Sequence, residues 1–176
     1  YVSNPRVGWG EAIEPFLKEN MSVYNFARDG KSSKTYWQSG RFDAMKPYMR
    51  EGDYLVVQLA HNDRHADMEK GTTLEEYKSY LRKYIAEARR LGLHVLLVTP
   101  PTVQGDVGKT IEQLESEAQG QRHLCSYVLE MKKVAQELDV PLVDLYTKTM
   151  QSFPDEGVTS GNGNGIFYEA DGTHFS

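Results

Sequence analysis

The chain reads Tyr54-Leu55-Val56-Val57-Gln58-Leu59 at the point that decides its fold. This short run is apolar almost throughout and follows a Gly52-Asp53 turn, which is typical of a strand buried on both faces of a parallel sheet. A second such run, His94-Val95-Leu96-Leu97-Val98-Thr99, comes after a long helical pattern. Strands that alternate with helices predict an α/β domain with a parallel sheet and helices on both faces.

Helical patterns lie on both sides of these strands. Thr73-Leu74-Glu75-Glu76 matches a capping box and opens a helix that we expect to end near Leu91. A second long helix is predicted from about Ala118 to Leu138, after a polar loop that reaches about Ser116. The remaining predicted elements are short: helices at 9–17, 41–49 and 146–153, and strands at 21–26 and 141–145.

Length and composition limit what the chain can be. Its 176 residues suffice for one domain with a substantial core, so we expect 1–176 to form a single domain. The net charge of -5 argues against a nucleic-acid partner, and the longest apolar run, 95–98, is too short to cross a membrane. The single cysteine, Cys125, excludes an intrachain disulfide and lies on an apolar helix stripe, which predicts an inert core side chain.

Polar residues that could carry chemistry follow the predicted strands. Gly30 lies in a polar loop after 21–26, where a glycine permits close approach of the backbone to a ligand, and Asn62 follows the strand that ends at Leu59. Asp171-Gly172-Thr173-His174 places a carboxylate where it can fix the tautomer of a histidine acting as general base. Each motif alone is weak, because Asn62 could simply start an Asx-turn and the spacing of Asp171 and His174 is common.

In this order the motifs resemble those of the SGNH hydrolases, also called GDSL esterases. Gly30-Lys31-Ser32-Ser33, continued by Ser39-Gly40-Arg41-Phe42, is similar to the second block of the rhamnogalacturonan acetylesterase-like subgroup. His61-Asn62-Asp63 is similar to the third block and Asp171-Gly172-Thr173-His174 to the last. The resemblance implies a three-layer α/β/α fold with a mainly parallel, flavodoxin-like sheet.

The same resemblance implies a function. We expect a secreted or periplasmic serine esterase that removes O-acetyl groups from a pectic, rhamnogalacturonan-type polysaccharide or oligosaccharide and needs no cofactor or metal. His174 would take the proton of the serine nucleophile, and Asp171 would orient His174. The backbone N–H of Gly30 and the side-chain amide of Asn62 would form the oxyanion hole. Ala60 stands where the family usually has glycine, a change that we expect to cost little room.

The family's first block, Gly-Asp-Ser, and its final helix have no counterpart in the sequence. We therefore expect the nucleophile and the first strand to come from residues outside 1–176 or from a second chain. The serines near the motifs and at the two ends are not expected to be the nucleophile: Ser3, Ser32, Ser33, Ser39 and Ser176. The alternative is a carbohydrate-binding or assembly domain that kept the scaffold and lost the nucleophile.

Basic residues concentrate on the two loops expected to flank the site, although the chain is acidic. A local positive field suits an acetylated substrate that carries carboxylates, while chance scatter of surface charge is the alternative. The predicted substrate-binding residues are Arg28, Lys31, Arg41, His61 and Arg64, with Lys34 nearby.

Two other patterns have alternative readings. Tyr36 and Trp37 could stack on sugar rings or pack in the core. His61, Asp63 and His65 could form a divalent-metal cluster, but two histidines and a carboxylate in one short loop are weakly diagnostic, and no metal site is predicted.

Overall fold

The computed structural model describes residues 8–118 and 122–152. Three parallel strands form one sheet in the order β1 (Tyr54–Val57), β2 (His94–Val98) and β3 (Leu142–Val143). Tyr54 pairs with His94, and Leu97 pairs with Leu142. The predicted α/β class with a parallel sheet is therefore confirmed.

Helices precede, separate and follow the strands. They are α1 (Trp9–Ala12), α2 (Ser33–Gln38), α3 (Arg41–Met45), α4 (Leu74–Arg90), α5 (Ile111–Glu117), α6 (Leu124–Glu137) and α7 (Leu145–Ser152). The Thr73 hydroxyl accepts the Glu76 N–H at 3.1 Å and the Glu76 carboxylate accepts the Thr73 N–H at 2.8 Å, so α4 begins with the predicted capping box.

The core lies between the sheet and the long helices α4 and α6. Alternate strand side chains, Val57, Val95 and Leu97, enter the same buried cluster as the apolar stripes of these helices. On the other face of β1, Tyr54 is 62% exposed and Val56 is 42% exposed. The second helical layer predicted for the fold does not cover this part of β1 among the described residues.

The predicted strand at 21–26 is wrong for the part of the chain that the structure describes. Alternating side chains favour an extended backbone, but a strand also needs a hydrogen-bonded neighbour. Within the described residues β1 pairs only with β2, so residues 21–26 are not paired with the sheet. The segment is instead held by a side chain, because the Tyr36 hydroxyl donates to the Phe26 carbonyl at 2.8 Å.

Two helices begin where a loop was predicted. Ser32 caps α2 by accepting the Thr35 N–H, and Thr110 caps α5 by accepting the Gln113 N–H. The helix predicted from Ala118 starts only at Leu124, where the His123 side chain accepts the N–H of Cys125 at 3.3 Å. The apolar spacing that follows the Ser32 and Thr110 caps is too brief to predict a helix from the sequence.

The short predicted helices end early. Residues 9–17 form α1 and a 3₁₀ turn at Glu14–Phe16, and residues 41–49 form α3 and a 3₁₀ turn at Lys46–Tyr48. Each turn contains a proline, which cannot donate the next helical hydrogen bond. Within 8–118 and 122–152, every helix is too short or too polar to pass through a bilayer.

Candidate functional site

Two loops meet beyond the C-terminal end of β1. One runs from Gln58 to Thr73, and the other leads through Gly30 into α2. The side-chain amide of Asn62 donates to the Lys31 carbonyl at 3.2 Å. The structure thus brings Asn62 to the loop that contains Gly30, and because an amide group carries two N–H donors, one remains for another acceptor.

Gly30 is exposed and has a φ of +69°. No atom lies within 4 Å of a Cβ built at this position, so the glycine is favoured by the left-handed backbone and not by crowding. A ligand could therefore approach the backbone here, but the predicted oxyanion role of Gly30 stays a prediction.

A buried carboxylate links the two loops from behind. Asp63 is fully buried and accepts the Ser33 N–H with both oxygens, at 3.0 and 3.1 Å. It also accepts the Ser33 hydroxyl and, at 3.2 Å, the Thr72 hydroxyl. Burial raises the pKa of the Asp63 carboxyl, and the Ser33 donors act against this rise.

The described serines of the motif loops have structural roles. Ser32 and Ser33 are fully buried, the first as the cap of α2 and the second on Asp63. The Ser39 hydroxyl donates to the Thr35 carbonyl at 2.7 Å and closes the same helix. Ser3 and Ser176 lie outside the described residues.

The loop after β1 folds back on itself. Arg122 donates to the His65 carbonyl at 2.6 Å and to the Thr72 carbonyl at 3.2 Å. A Cβ built on Gly71 would lie 2.1 Å from the His65 carbonyl oxygen, so only glycine fits the observed backbone. No local motif marks Arg122, and Gly71 is marked only by its position two residues before the capping box.

Ala60, the third residue of this loop, has a φ of +148° and is 2% exposed. Alanine in place of the family's glycine was expected to have only a small steric effect. The structure adds a backbone cost, because a side chain at a positive φ is unfavourable for any residue other than glycine.

The predicted substrate-binding cations lie in two different surroundings. Burial raises the pKa of Tyr36 while the charges of Arg41 and Arg28 lower it, so both guanidiniums lie near its ring. Arg64 instead lies near the buried Asp106: burial raises the pKa of Asp106, and the charge of Arg64 is among the influences that lower it. The charge of Arg64 therefore acts on a carboxylate, whereas those of Arg28 and Arg41 act on a tyrosine.

The remaining predicted contacts are near the loops. Lys31 and His61 are half-buried, and Lys31 offers its carbonyl to Asn62. The Lys34 ammonium donates a hydrogen bond to the Met68 carbonyl and so connects α2 with the loop after β1.

The aromatic residues whose role was left open pack in the core. Tyr36 is 9% exposed, and Trp37 stacks on Phe42 with ring centroids 5.1 Å apart while meeting Tyr84 edge-on at 5.1 Å. These contacts favour packing over sugar stacking. Cys125 is fully buried and burial raises its pKa to about 11, which confirms the predicted core side chain.

Nothing in the described parts of the chain forms a group of three or more side chains suited to a metal ion. Asp63 faces Ser33 and Thr72, and the Nδ1 atom of His65 accepts the Asp67 N–H at 3.2 Å. Asp171 and His174 lie outside the described residues, so their pairing and their distance from Asn62 stay predictions.

Comparison with known proteins gives the site a context. A family model described as GDSL-like lipase/acylhydrolase matches residues 2–176. The chain is 34% identical over 153 residues to the probable rhamnogalacturonan acetylesterase YesY of Bacillus subtilis, covering 85% of this chain and 66% of YesY. It is 32% identical over 146 residues to the rhamnogalacturonan acetylesterase RhgT of the same organism, covering 82% of this chain and 58% of RhgT.

A solved structure shares the fold. The crystal structure of the protein YxiM from Bacillus subtilis superposes with a TM-score of 0.74 at 24% sequence identity, covering 97% of this chain and 45% of YxiM. The chain therefore spans about two thirds or less of the length of these relatives.

Proposed function

Because this chain belongs to the GDSL-like lipase/acylhydrolase family, we propose that it forms most of the catalytic domain of a carbohydrate O-acetylesterase. The substrate that we propose is an acetylated pectic, rhamnogalacturonan-type polysaccharide or oligosaccharide. The names of YesY and RhgT support this substrate, since both are rhamnogalacturonan acetylesterases by name and each matches more than four fifths of the chain.

One observation carries the proposal: the amide of Asn62 is held against the loop of Gly30 at the C-terminal end of a parallel strand. Ligands of open α/β sheets bind at that edge. We propose that the Asn62 amide and the Gly30 N–H together bind the negative oxygen of a tetrahedral intermediate in acyl transfer, and such a donor contributes about 10²–10³ in rate in measured cases.

The proposed mechanism needs three more groups. His174 takes the proton of a serine hydroxyl as this oxygen attacks the acetyl carbonyl, and it later returns a proton to the departing sugar oxygen. Asp171 orients His174 through a hydrogen bond. We propose that the serine belongs to residues outside 1–176 or to a second chain, because Ser32 and Ser33 are buried and Ser39 closes a helix.

The proposed location and recognition follow from the substrate. A polymer of the plant cell wall is met outside the cytoplasm, so we propose a secreted or periplasmic enzyme. Arg28, Arg41 and Lys31 would attract a polymer that carries carboxylates. Arg64 also acts on the buried Asp106, because its charge is among the influences that lower the pKa of that carboxyl.

The experiment uses the complete protein. Acetate release is followed on acetylated rhamnogalacturonan and on acetylated xylan, and we expect faster release from the first. Asn62→Ala is expected to lower kcat about 10²-fold while KM changes little, because an oxyanion donor acts mainly in the transition state. Normal kcat in this variant would reject the oxyanion role.

The position of the nucleophile has its own test. A fluorophosphonate probe labels the active serine of the complete protein, and peptide mass mapping locates it. We expect the label outside 1–176. A label inside that range would reject this part of the proposal, and a protein that neither reacts with the probe nor releases acetate would favour a carbohydrate-binding domain.

A further inference from the structure

Asp63 is chemically unlike its neighbours in the loop after β1, because its charge points away from solvent. The side chain is 0% exposed, and the groups that bind its carboxylate are all donors: the Ser33 N–H, the Ser33 hydroxyl and the Thr72 hydroxyl. A carboxylate is the side-chain group that can accept from all of them at once. The network is therefore built for the ionised form of Asp63, although burial alone disfavours that form.

The partners of Asp63 belong to two separate stretches of chain. Ser33 opens α2 directly after the loop of Gly30, and Thr72 lies near the end of the loop that runs from Gln58 to Thr73. The Thr72 N–H also donates to the Asp63 carbonyl at 2.9 Å, which ties both ends of that loop together. One carboxylate thus holds the Gly30 loop against the Asn62 loop.

We propose that Asp63 is a positioning residue, which sets the separation of the two oxyanion donors by holding the loop of Gly30 against the loop of Asn62. This inference rests on the proposed esterase function. The buried Asp63 side chain is not itself one of the two proposed oxyanion donors. Its neighbour Asn62 is one of them, and the Asn62 side chain makes the contact with Lys31. Two sets of hydrogen bonds therefore join the loops: a partly buried one from Asn62 to Lys31 and a buried one between Asp63 and Ser33.

The contact between Asp63 and Ser33 has more hydrogen bonds than the contact between Asn62 and Lys31. The Ser33 N–H reaches both carboxylate oxygens, and the Tyr84 hydroxyl donates to the Ser33 carbonyl at 2.9 Å from within the core. The contact between Asn62 and Lys31 is a single neutral hydrogen bond of 3.2 Å, made by the half-buried side chain of Asn62. Hydrogen bonds to an ionised group are about twice as strong as neutral ones. Loss of the Asp63 charge should therefore loosen the contact between the two loops, although the Asn62 residue is unchanged.

Asp63→Asn in the complete protein tests the inference. The asparagine has the same shape, but its NH₂ group would face the Ser33 N–H at about the 3.1 Å now occupied by an oxygen, which places donor against donor. We expect kcat to fall about 10²-fold with KM changed less than about threefold, because displacements of about 1 Å at a catalytic group cost this much.

Tyr127→Phe is the matched control. The Tyr127 hydroxyl is buried and donates at 2.6 Å to the carbonyl of Thr72, a residue that also binds Asp63. The same carbonyl keeps the Arg122 donor at 3.2 Å, and neither Ser33 nor Asn62 is touched. We expect kcat within about twofold of the wild type, so a loss confined to Asp63→Asn cannot come from a general loss of stability.

Ser33→Ala serves if Asp63→Asn does not fold. It removes one donor and keeps the Ser33 N–H on Asp63, so we expect an intermediate loss of about tenfold in kcat. Hydrogen exchange of the amides at 28–36 gives a readout independent of activity: exchange should accelerate in Asp63→Asn and stay unchanged in Tyr127→Phe.

The outcomes separate the two proposals. An inactive wild type overturns the proposed function, and the exchange data then decide whether Asp63 holds the loops. An active wild type with kcat within about twofold in Asp63→Asn and Ser33→Ala overturns the positioning role alone. Equal losses in Asp63→Asn and Tyr127→Phe also overturn it, since the effect would then be structural.

Discussion

Replacing Ala60 by glycine should leave the complete protein nearly as stable as before, although the residue is buried. Loss of a buried methyl group costs about 0.8 kcal/mol, and the greater freedom of glycine in the unfolded chain costs about another 0.5–1 kcal/mol. Against this, a positive φ in a residue with a Cβ carries about 1–3 kcal/mol of strain, which glycine removes. With φ at +148° in Ala60, the two sums cancel to within about 1–2 kcal/mol.

Ala88→Gly provides the reference. Ala88 is also fully buried but lies inside α4, where glycine costs about 1 kcal/mol of helix stability in addition to the lost methyl group and relieves nothing. We therefore expect Ala88→Gly to lower the free energy of unfolding by about 2 kcal/mol. The free energy of unfolding of Ala60→Gly should be about 1–3 kcal/mol higher than that of Ala88→Gly.

Urea unfolding followed by fluorescence and circular dichroism measures both values. Equal destabilisation by the two substitutions would show that the backbone at Ala60 is unstrained, and the reasoning would fail. Acetate release by Ala60→Gly should stay within about threefold of the wild type, because glycine adopts the same backbone without strain.

Three further substitutions or treatments test the rest of the fold. Gly71→Ala should destabilise by about 1–3 kcal/mol, because its Cβ would overlap a backbone carbonyl, whereas Gly105→Ala has open space and should change little; urea unfolding compares them. Glu87 binds Arg90 at 2.8 Å, which with Lys46 lowers its pKa to about 2. Its stabilisation is present above the unfolded pKa and is lost as pH falls towards 2, so Glu87→Gln should flatten the decline of Tm between about pH 5 and 2. Cys125 should resist thiol reagents until the protein unfolds, as mass spectrometry would show, since its pKa is raised to about 11 in a buried position.

The elements that the sequence predicted well are those with a long internal pattern. The helix that starts after Thr73 has both a cap and several turns of apolar spacing, and β2 is continuously apolar after His94. The strand at 21–26 failed because pairing depends on a neighbour that no local pattern reveals. The short α2 and α5 were missed because tertiary contacts and a single cap decide them.

The site divides in the same way. Residue types that act directly, such as Asn62, were found because their order along the chain resembles a known family. The support behind them depends on distant contacts: Asp63 meets Ser33 across 30 residues, and Arg122 meets Thr72 across 50. Serine beside a polar loop gives no hint that it is fully buried on a carboxylate.

The open side of β1 affects how residues 1–176 would behave as an isolated polypeptide. Tyr54 and Val56 place apolar surface there, and the outer backbone edge of β1 is unpaired in the described part of the chain. An unpaired edge beside apolar side chains is a template for adding another strand, including one from an identical molecule. Concentrated solutions of the isolated polypeptide should therefore scatter light increasingly with time and concentration, and charged substitutions at Val56 should slow this growth.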